Sequence, residues 1–382
     1  MIGVGLMSGT SLDGIDAVCV EIQPRDDSYH LEVQEFRTCE FPNDLRDELL
    51  ACMEPHNASA QTFARLHQRL GECFADAVEE IRGPHRVDYV ACHGQTIFHN
   101  GLAHQTWQLG DPFIVRERSS VTVCYDFRSG DTAAGGNGAP LVPYLDHLLW
   151  SSDHEDRVIV NIGGIANFTW LPKRAHREEI IAFDAGPGMM LLDAFVALRT
   201  NGRMRFDRDG TLAGIGKINQ DLLKTMLEHP YFARNFPKST GREQFGIHFL
   251  SEHDRELGRL SLEDGCATLA AVTSTALSMA IVATCPGATR ILCSGGGVHH
   301  DFVMKLLRER LDGMCVETTA AMGIDPDAKE ALAFAVLGYE TLRGRQANVP
   351  TATGARKAVG LGAIAPWRLA ALLAKMEAEC RT

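Results

Sequence analysis

The 382-residue chain lacks most of the short signatures from which a function is read. It has 11 cysteines, but no Cys-x-x-Cys pair and no Cys/His spacing of the zinc-site kind. Cys92, Cys124, Cys266 and Cys293 sit inside apolar runs, where a free thiol behaves as a small hydrophobe. That usage fits a reducing compartment. Basic charge is in deficit, with 37 Lys and Arg against 49 Asp and Glu and a net charge of −12. The balance argues against broad nucleic-acid binding and against an anionic membrane surface. No basic stretch followed by an apolar one opens the chain, so no secretory signal is expected. The longest apolar stretch, Cys266 to Cys285, is studded with Thr and Ser and reads as a buried helix rather than a membrane span. Two nucleotide fingerprints are missing as well. Lys217 is followed by Ile218 where a P-loop needs Ser or Thr, and Gly295-Gly296-Gly297 does not have the Gly-x-Gly-x-x-Gly spacing.

What is present begins with size. A chain this long exceeds one ordinary core and predicts two domains. The apolar run Ile2 to Leu6 and the run Ala17 to Ile22 read as strands joined by Met7-Ser8-Gly9-Thr10-Ser11-Leu12-Asp13-Gly14-Ile15-Asp16. Such a turn offers backbone N–H groups and three hydroxyls to an anion. Its carboxylates Asp13 and Asp16 suit a hard cation. The same residues also suit an ordinary turn. The pattern recurs roughly 150 residues on, where the strand Arg157–Ile162, the small-residue turn Gly163-Gly164-Ile165-Ala166-Asn167 and the strand Phe168–Leu171 form a weak internal repeat at domain scale. Two similar α/β domains with such hairpins would grip a nucleotide's phosphates in a cleft between them. The division falls in the acidic link 151–156, giving domains over 1–150 and 157–364, with the terminal helix 365–382 completing the first.

Between the hairpins, Val87–Cys92 is a buried-type strand that ends in His93-Gly94-Gln95-Thr96, the strand end at which open α/β sheets place ligands. The run Ala133-Ala134-Gly135-Gly136-Asn137-Gly138-Ala139-Pro140 is a close-approach loop or a hinge. Beside it, Arg128 and Asp131 either clamp a polar ligand or pair with each other. Further on, the strand Glu179–Phe183 ends in Asp184, facing Gly186-Pro187-Gly188 at a helix N-terminus whose dipole favours a bound anion. Asp184 there is either a general base or a helix N-cap. The Gly295–Gly297 turn lets the backbone lie against a planar ligand. Asp325-Pro326 reads as the N-cap and first position of a helix that carries Glu330. His299-His300 reads as a polar surface pair.

With these pieces placed, the chain resembles the 1,6-anhydro-N-acetylmuramic acid kinases. The carriers are Gly5 to Asp16, His93 to Thr96, Asp126-Phe127-Arg128 with Asp131 and Ala139–Pro143, Asn161 to Asn167, Phe183-Asp184 with Gly186 to Gly188, Pro237 to Glu243, Ser294 to Gly297, and Asp325-Pro326 through Glu330-Ala331. The resemblance implies an α/β chain of two RNase H-like domains of the actin and hexokinase type flanking an interdomain cleft. It implies a cytoplasmic, homodimeric enzyme of cell-wall recycling that uses ATP and Mg²⁺ and opens the 1,6-anhydro bridge while phosphorylating O6. The alternatives are a kinase for another amino sugar and an actin- or Hsp70-like ATPase. On the resemblance, Asp184 is the base. Gly9, Thr10, Ser11, Leu12, Asp13, Gly14, Ile15, Asp16, Asn161, Gly163, Gly164, Gly295, Gly296 and Gly297 hold ATP, with Asp13 and Asp16 toward the metal. His93, Gln95, Thr96, Arg128, Asp131, Gly186, Gly188 and Glu330 face the sugar. Ala185, Met189 and Asn137 stand where Thr, Asn and Gln are expected, and the first two each remove a side-chain hydrogen bond beside Asp184.

Overall fold

The computed structural model describes residues 1–9, 12, 14–25, 28–53 and 58–379. Its strands are β1 (Ile2–Ser8), β2 (Gly14–Arg25), β3 (Ser28–Glu40), β4 (Tyr89–Asn100), β5 (Gln105–Leu109), β6 (Thr122–Tyr125), β7 (Asp156–Ile162), β8 (Ile165–Leu171), β9 (Ile181–Pro187), β10 (Ala288–Ser294), β11 (Cys315–Thr318) and β12 (Ala363–Ala365). Contacts divide the chain into one unit of residues 1–149 with 328–382 and a second of 150–327.

In the first unit the sheet runs β12-β6-β4-β1-β2-β3, with β5 paired to β4. β1, β2 and β3 form an antiparallel meander, while β4 lies parallel to β1 and β6 parallel to β4. β1 is buried along almost its whole length, as a central strand covered on both faces must be. One cover is the helix Ala60–Arg82, started by Ser59, whose hydroxyl accepts from Thr62 N at 3.1 Å. Its apolar side chains Leu66, Leu70, Phe74 and Ile81 join Val4, Leu6 and Val90 in one core.

The other cover is the helix Lys329–Leu342, and it explains the glycines of β1. A Cβ on Gly5 would overlap the carbonyl of Ala331 and lie 2.8 Å from the Ala335 nitrogen. A Cβ on Gly3 would fall into the Tyr89 ring, and one on Gly338 would lie 2.6 Å from the Ala91 Cβ. Small residues on both sides thus let helix backbone lie directly on strand backbone. The sequence places residues 328–364 with the second domain; this seam is the physical reason they go with the first. The helix starts with Ala328 at its N-cap rather than Asp325, whose carboxylate closes a short turn by accepting from Asp327 N at 2.9 Å.

The second unit's sheet runs β11-β10-β7-β8-β9, with β7, β8 and β9 antiparallel and β10 and β11 joining in parallel. This is the order and sense of β6-β4-β1-β2-β3. The weak repeat of the hairpins is therefore a duplication of a whole five-stranded topology. The helix Leu262–Thr284 packs inside this unit, with Cys266, Leu269, Val272, Leu277 and Ile281 in the core. By length and composition alone it could cross a membrane, but 72% of its apolar window is buried.

Candidate active site

In the first unit the end of β1 is tied to β4. The Ser8 hydroxyl sits 2.6 Å from Gln95 Oε1 and 2.8 Å from the Gly14 carbonyl, and its one proton serves one acceptor at a time. Gln95 is fully buried and donates to Gly9 O at 3.1 Å. So Gln95 shapes the opening turn from below rather than facing a ligand. The turn has Leu12 buried at φ +58, Gly14 packed against the Cys39 carbonyl, and Ile15 buried. Asp16 pairs with Met7 across the hairpin, and its Oδ1 accepts from the Thr38 hydroxyl at 2.6 Å. Thr10, Ser11 and Asp13 lie outside the described residues.

β4 does not stop at Cys92; it continues through His93-Gly94-Gln95-Thr96 because β5 takes up its pairing from Gln95 onward. The tetrapeptide is thus the stretch where β4 changes partners, not a strand tip. Thr96 accepts from Gln108 Nε2 at 3.2 Å and is half-buried. His93 is buried against Phe334, with ring centroids 4.5 Å apart. Its Nε2 accepts from Arg128 Nε at 2.9 Å and its Nδ1 donates to the Gly94 carbonyl at 2.8 Å, which fixes the neutral Nδ1–H tautomer. Burial, and then the Arg128 charge, hold this imidazole well below its usual range.

Arg128 Nη1 donates to Gly138 O at 2.6 Å. Burial brings the guanidinium down to about 10, against the pull of Glu330 and Asp131. Glu330 is half-buried, and its carboxyl is pushed up by burial while Lys329 and Arg128 oppose the rise. Lys329 is buried and ion-paired to Asp146 at 3.1 Å. His93, Arg128 and Glu330 therefore form one electrostatic group. Asp131 does not face outward with them. It is fully buried and accepts from Gly138 N, Asn348 Nδ2 and Thr353 Oγ1 at 2.7 to 2.8 Å.

In the second unit Asp184 is likewise inside its strand, because β9 extends to Pro187 with Asp184 opposite Asn167. It is not a helix cap: the helix Met190–Arg199 has Met189 at its N-cap. The segment after Tyr231 holds Asp184 on three sides. Tyr231 Oη donates to its carbonyl at 2.7 Å, its N–H donates to Lys238 O at 3.2 Å, and Thr240 N donates to Oδ2 at 2.9 Å. A backbone N–H on one carboxylate oxygen fixes its plane. Lys238 anchors the segment, its ammonium donating to the carbonyls of Tyr231 and Phe232 over the Tyr231 ring.

Two expectations change here. The N–H groups of Gly188, Met189 and Met190 donate to the carbonyls of Gly164, Gly163 and Gly164 at 2.9, 2.9 and 3.2 Å. The β7–β8 turn thus takes up the first N–H of that helix and the two that precede it. Gly186 and Gly188 are small for internal packing: a Cβ on the first would lie 2.7 Å from the Phe232 ring, and one on the second would overlap the Gly163 carbonyl. Ala185 is buried in the core, across the strand from the Asp184 side chain, and Met189 packs against the same core. Their departures from the expected Thr and Asn therefore fall on the packing side.

Asn161 opposes Ser294, whose hydroxyl bonds to the Val160 carbonyl at 2.8 Å. A Cβ on Gly295, at φ +81, would lie 2.6 Å from Asn161 Oδ1, and one on Gly297 would overlap Ile162. Gly296 alone of the three has open space around its Cα. His299 is exposed beside Asp327 at 2.8 Å, but His300 is buried and bonded to Asp207 at 3.2 Å, so the two do not form a surface pair. Sequence reasoning missed Thr240 as the group on Asp184, although it lies in the matched segment Pro237–Glu243. It also missed Asn348 and Thr353, which no local motif marks.

Two units, each built on the same strand order with β-hairpin turns, define a duplicated RNase H-like α/β protein. The sequence profile of the anhydro-N-acetylmuramic acid kinases matches residues 1–367. An anhydro-N-acetylmuramic acid kinase of Thiobacillus denitrificans is 40% identical over 368 residues, 95% of this chain and 96% of that one. One of Caldanaerobacter subterraneus is 36% identical over 379 residues, 94% of this chain and 96% of that one. A crystal structure of a ROK family glucokinase from Streptomyces griseus with glucose and AMPPNP shares 13% identity, with a TM-score of 0.40 over 89% of this chain and 100% of that one. The chain belongs to the anhydro-N-acetylmuramic acid kinase family.

Proposed function

We propose that the protein is an ATP-dependent kinase that opens the 1,6-anhydro ring of 1,6-anhydro-N-acetylmuramic acid and phosphorylates O6, giving N-acetylmuramic acid 6-phosphate and ADP in peptidoglycan recycling. The observation that carries this is family membership over residues 1–367, including the segments around Asp184 and the opening turn. In this reading Asp184 takes a proton from water as the water oxygen bonds to C1. The C1–O6 bond breaks, and O6 takes the γ-phosphoryl group from ATP. Thr240 N supports the assignment by holding one carboxylate oxygen, which fixes the plane of the carboxylate.

The opening turn would bind ATP phosphates in the first unit, and the Asn161–Gly164 turn and Gly295–Gly297 would bind ATP in the second, with Gly296 as the glycine that has room for it. Arg128, Thr96 and Glu330 would face the sugar, while His93, Gln95 and Asp131 act beneath the surface. Among the described residues no group of three His, Cys, Asp or Glu side chains could cage a metal. Mg²⁺ is commonly held by one or two carboxylates plus substrate phosphates and water. Asp13 and Asp16 would hold it, and its chemistry there would be to neutralise phosphate charge. The protein would act in the cytoplasm as a homodimer, which light scattering on the purified protein checks.

The test is a product assay with ATP, Mg²⁺ and a panel of amino sugars with and without the anhydro bridge. Phosphorylation of only the bridged sugar is expected. Phosphorylation of reducing amino sugars would point to another sugar kinase, and ATP hydrolysis with no sugar product would point to an ATPase.

A further inference from the structure

The loop Gly135–Gly138 is wrapped round a buried carboxylate. A Cβ on Gly136 would overlap the Asp131 carboxylate, 2.7 Å from its Cγ, and Gly138 sits at φ +73 with Thr132 Cγ2 2.8 Å from its would-be Cβ. Gly138 then works in both directions. Its N–H donates to Asp131 Oδ2 at 2.8 Å, and its carbonyl accepts from Arg128 Nη1 at 2.6 Å. Asp131 Oδ1 is held in turn by Asn348 Nδ2 and Thr353 Oγ1, each at 2.7 Å. The Asn348 amide is oriented by Val359 N, which donates to its Oδ1 at 2.7 Å. The Thr353 carbonyl accepts from Asn137 N at 2.7 Å. Asp131, Asn348 and Thr353 are all buried.

We propose that Asn348 and Thr353, acting through Asp131 and Gly138, are positioning residues for Arg128. A guanidinium has five N–H donors in a fixed plane. Two are committed here, Nε to His93 and one on Nη1 to Gly138, and these two fix the direction of the remaining three. Those three are the donors available to the oxygens of the sugar. A segment 220 residues downstream in sequence thereby sets the geometry of sugar binding without touching sugar. The inference rests on the proposal that Arg128 faces the sugar.

The test is steady-state kinetics on the full-length protein with 1,6-anhydro-N-acetylmuramic acid and ATP. Thr353→Val removes the donor and keeps the shape; Thr353→Ser keeps the donor. Asn348→Ala removes the other side-chain donor on Oδ1. Losing a hydrogen bond to a charged group should raise the sugar KM about tenfold in Thr353→Val and Asn348→Ala. The KM for ATP should stay within about twofold, and Thr353→Ser should stay near wild type. A merely structural role would lower the active fraction without separating the two KM values. If Thr353→Val does not fold, Asn348→Ala against Thr353→Ser carries the comparison. Arg128→Gln is the control and should raise the sugar KM at least as much. The inference is overturned if Arg128→Gln raises the sugar KM while Asn348→Ala and Thr353→Val leave it within about twofold of wild type. If Arg128→Gln leaves it unchanged, the sugar-facing assignment of Arg128 fails first and takes this inference with it.

Discussion

At the scale of single residues, the chemistry is assigned to a carboxylate that sits inside a strand rather than at its end. Asp184 is held by Thr240 N on one oxygen and by Tyr231 and Lys238 through its backbone. Asp184→Asn keeps the shape and an acceptor but loses the basicity. It should abolish turnover of the anhydro-sugar and leave ATP affinity within about twofold, read by calorimetric titration. Turnover at the wild-type rate would remove Asp184 from the role. His93 makes a separate prediction about pH. Its imidazole is depressed from 6.5 in the folded protein, so the unfolded chain binds that proton first. Its contribution to stability is complete above about pH 6.5 and is lost as pH falls below it. His99, brought down to about 4 by burial, acts in the same sense, and the raised Glu330 acts in the opposite one. Comparison with His93→Gln, which still offers Arg128 an acceptor, isolates the term. Between pH 5 and 7 the unfolding free energy of the wild type should rise more steeply than that of the variant. Parallel slopes in urea titrations would contradict the burial argument.

At the scale of elements, the seam between β1 and the helix Lys329–Leu342 decides which segments form the first unit. Gly5→Ala would drive a methyl into the Ala331 carbonyl, with neither backbone free to retreat. Overpacking of this kind costs about 1–3 kcal/mol. The variant should unfold at markedly lower denaturant than wild type with an unchanged m-value; a midpoint within error of wild type would show that the seam gives way easily. The same seam shows where sequence reading reaches and where it stops. Glycines in the strand and alanines in the helix were visible, but periodicity assigns each stretch a type and not a partner. The long apolar helix Leu262–Thr284 was legible because one continuous stretch carries its whole signal. The extension of β4 past Cys92 was not, because pairing with β5 decides it. The bonding of Gly188–Met190 to the β7–β8 turn was missed for the same reason, since the acceptor carbonyls lie some 25 residues earlier.

At the scale of the molecule, the sheet order of the first unit recurs in the second, down to the sense of each strand. Its trace in sequence is a pair of short hairpins, because a shared backbone topology constrains burial and turns rather than particular side chains. The family was legible from the matched segments, and its sequence profile matches residues 1–367. The reach of individual site residues was less so. Asp131 and Gln95 have the composition of ligand-binding groups, yet in the fold their polar atoms are taken up by the chain itself. The central claim is that one turnover joins hydrolysis of the anhydro bridge to phosphorylation of the departing O6. Running the reaction in ¹⁸O-water and analysing the product by mass spectrometry tests it most directly. One ¹⁸O at C1 and none in the phosphate ester is the predicted result. An unlabelled C1, or label in the ester, would contradict the account.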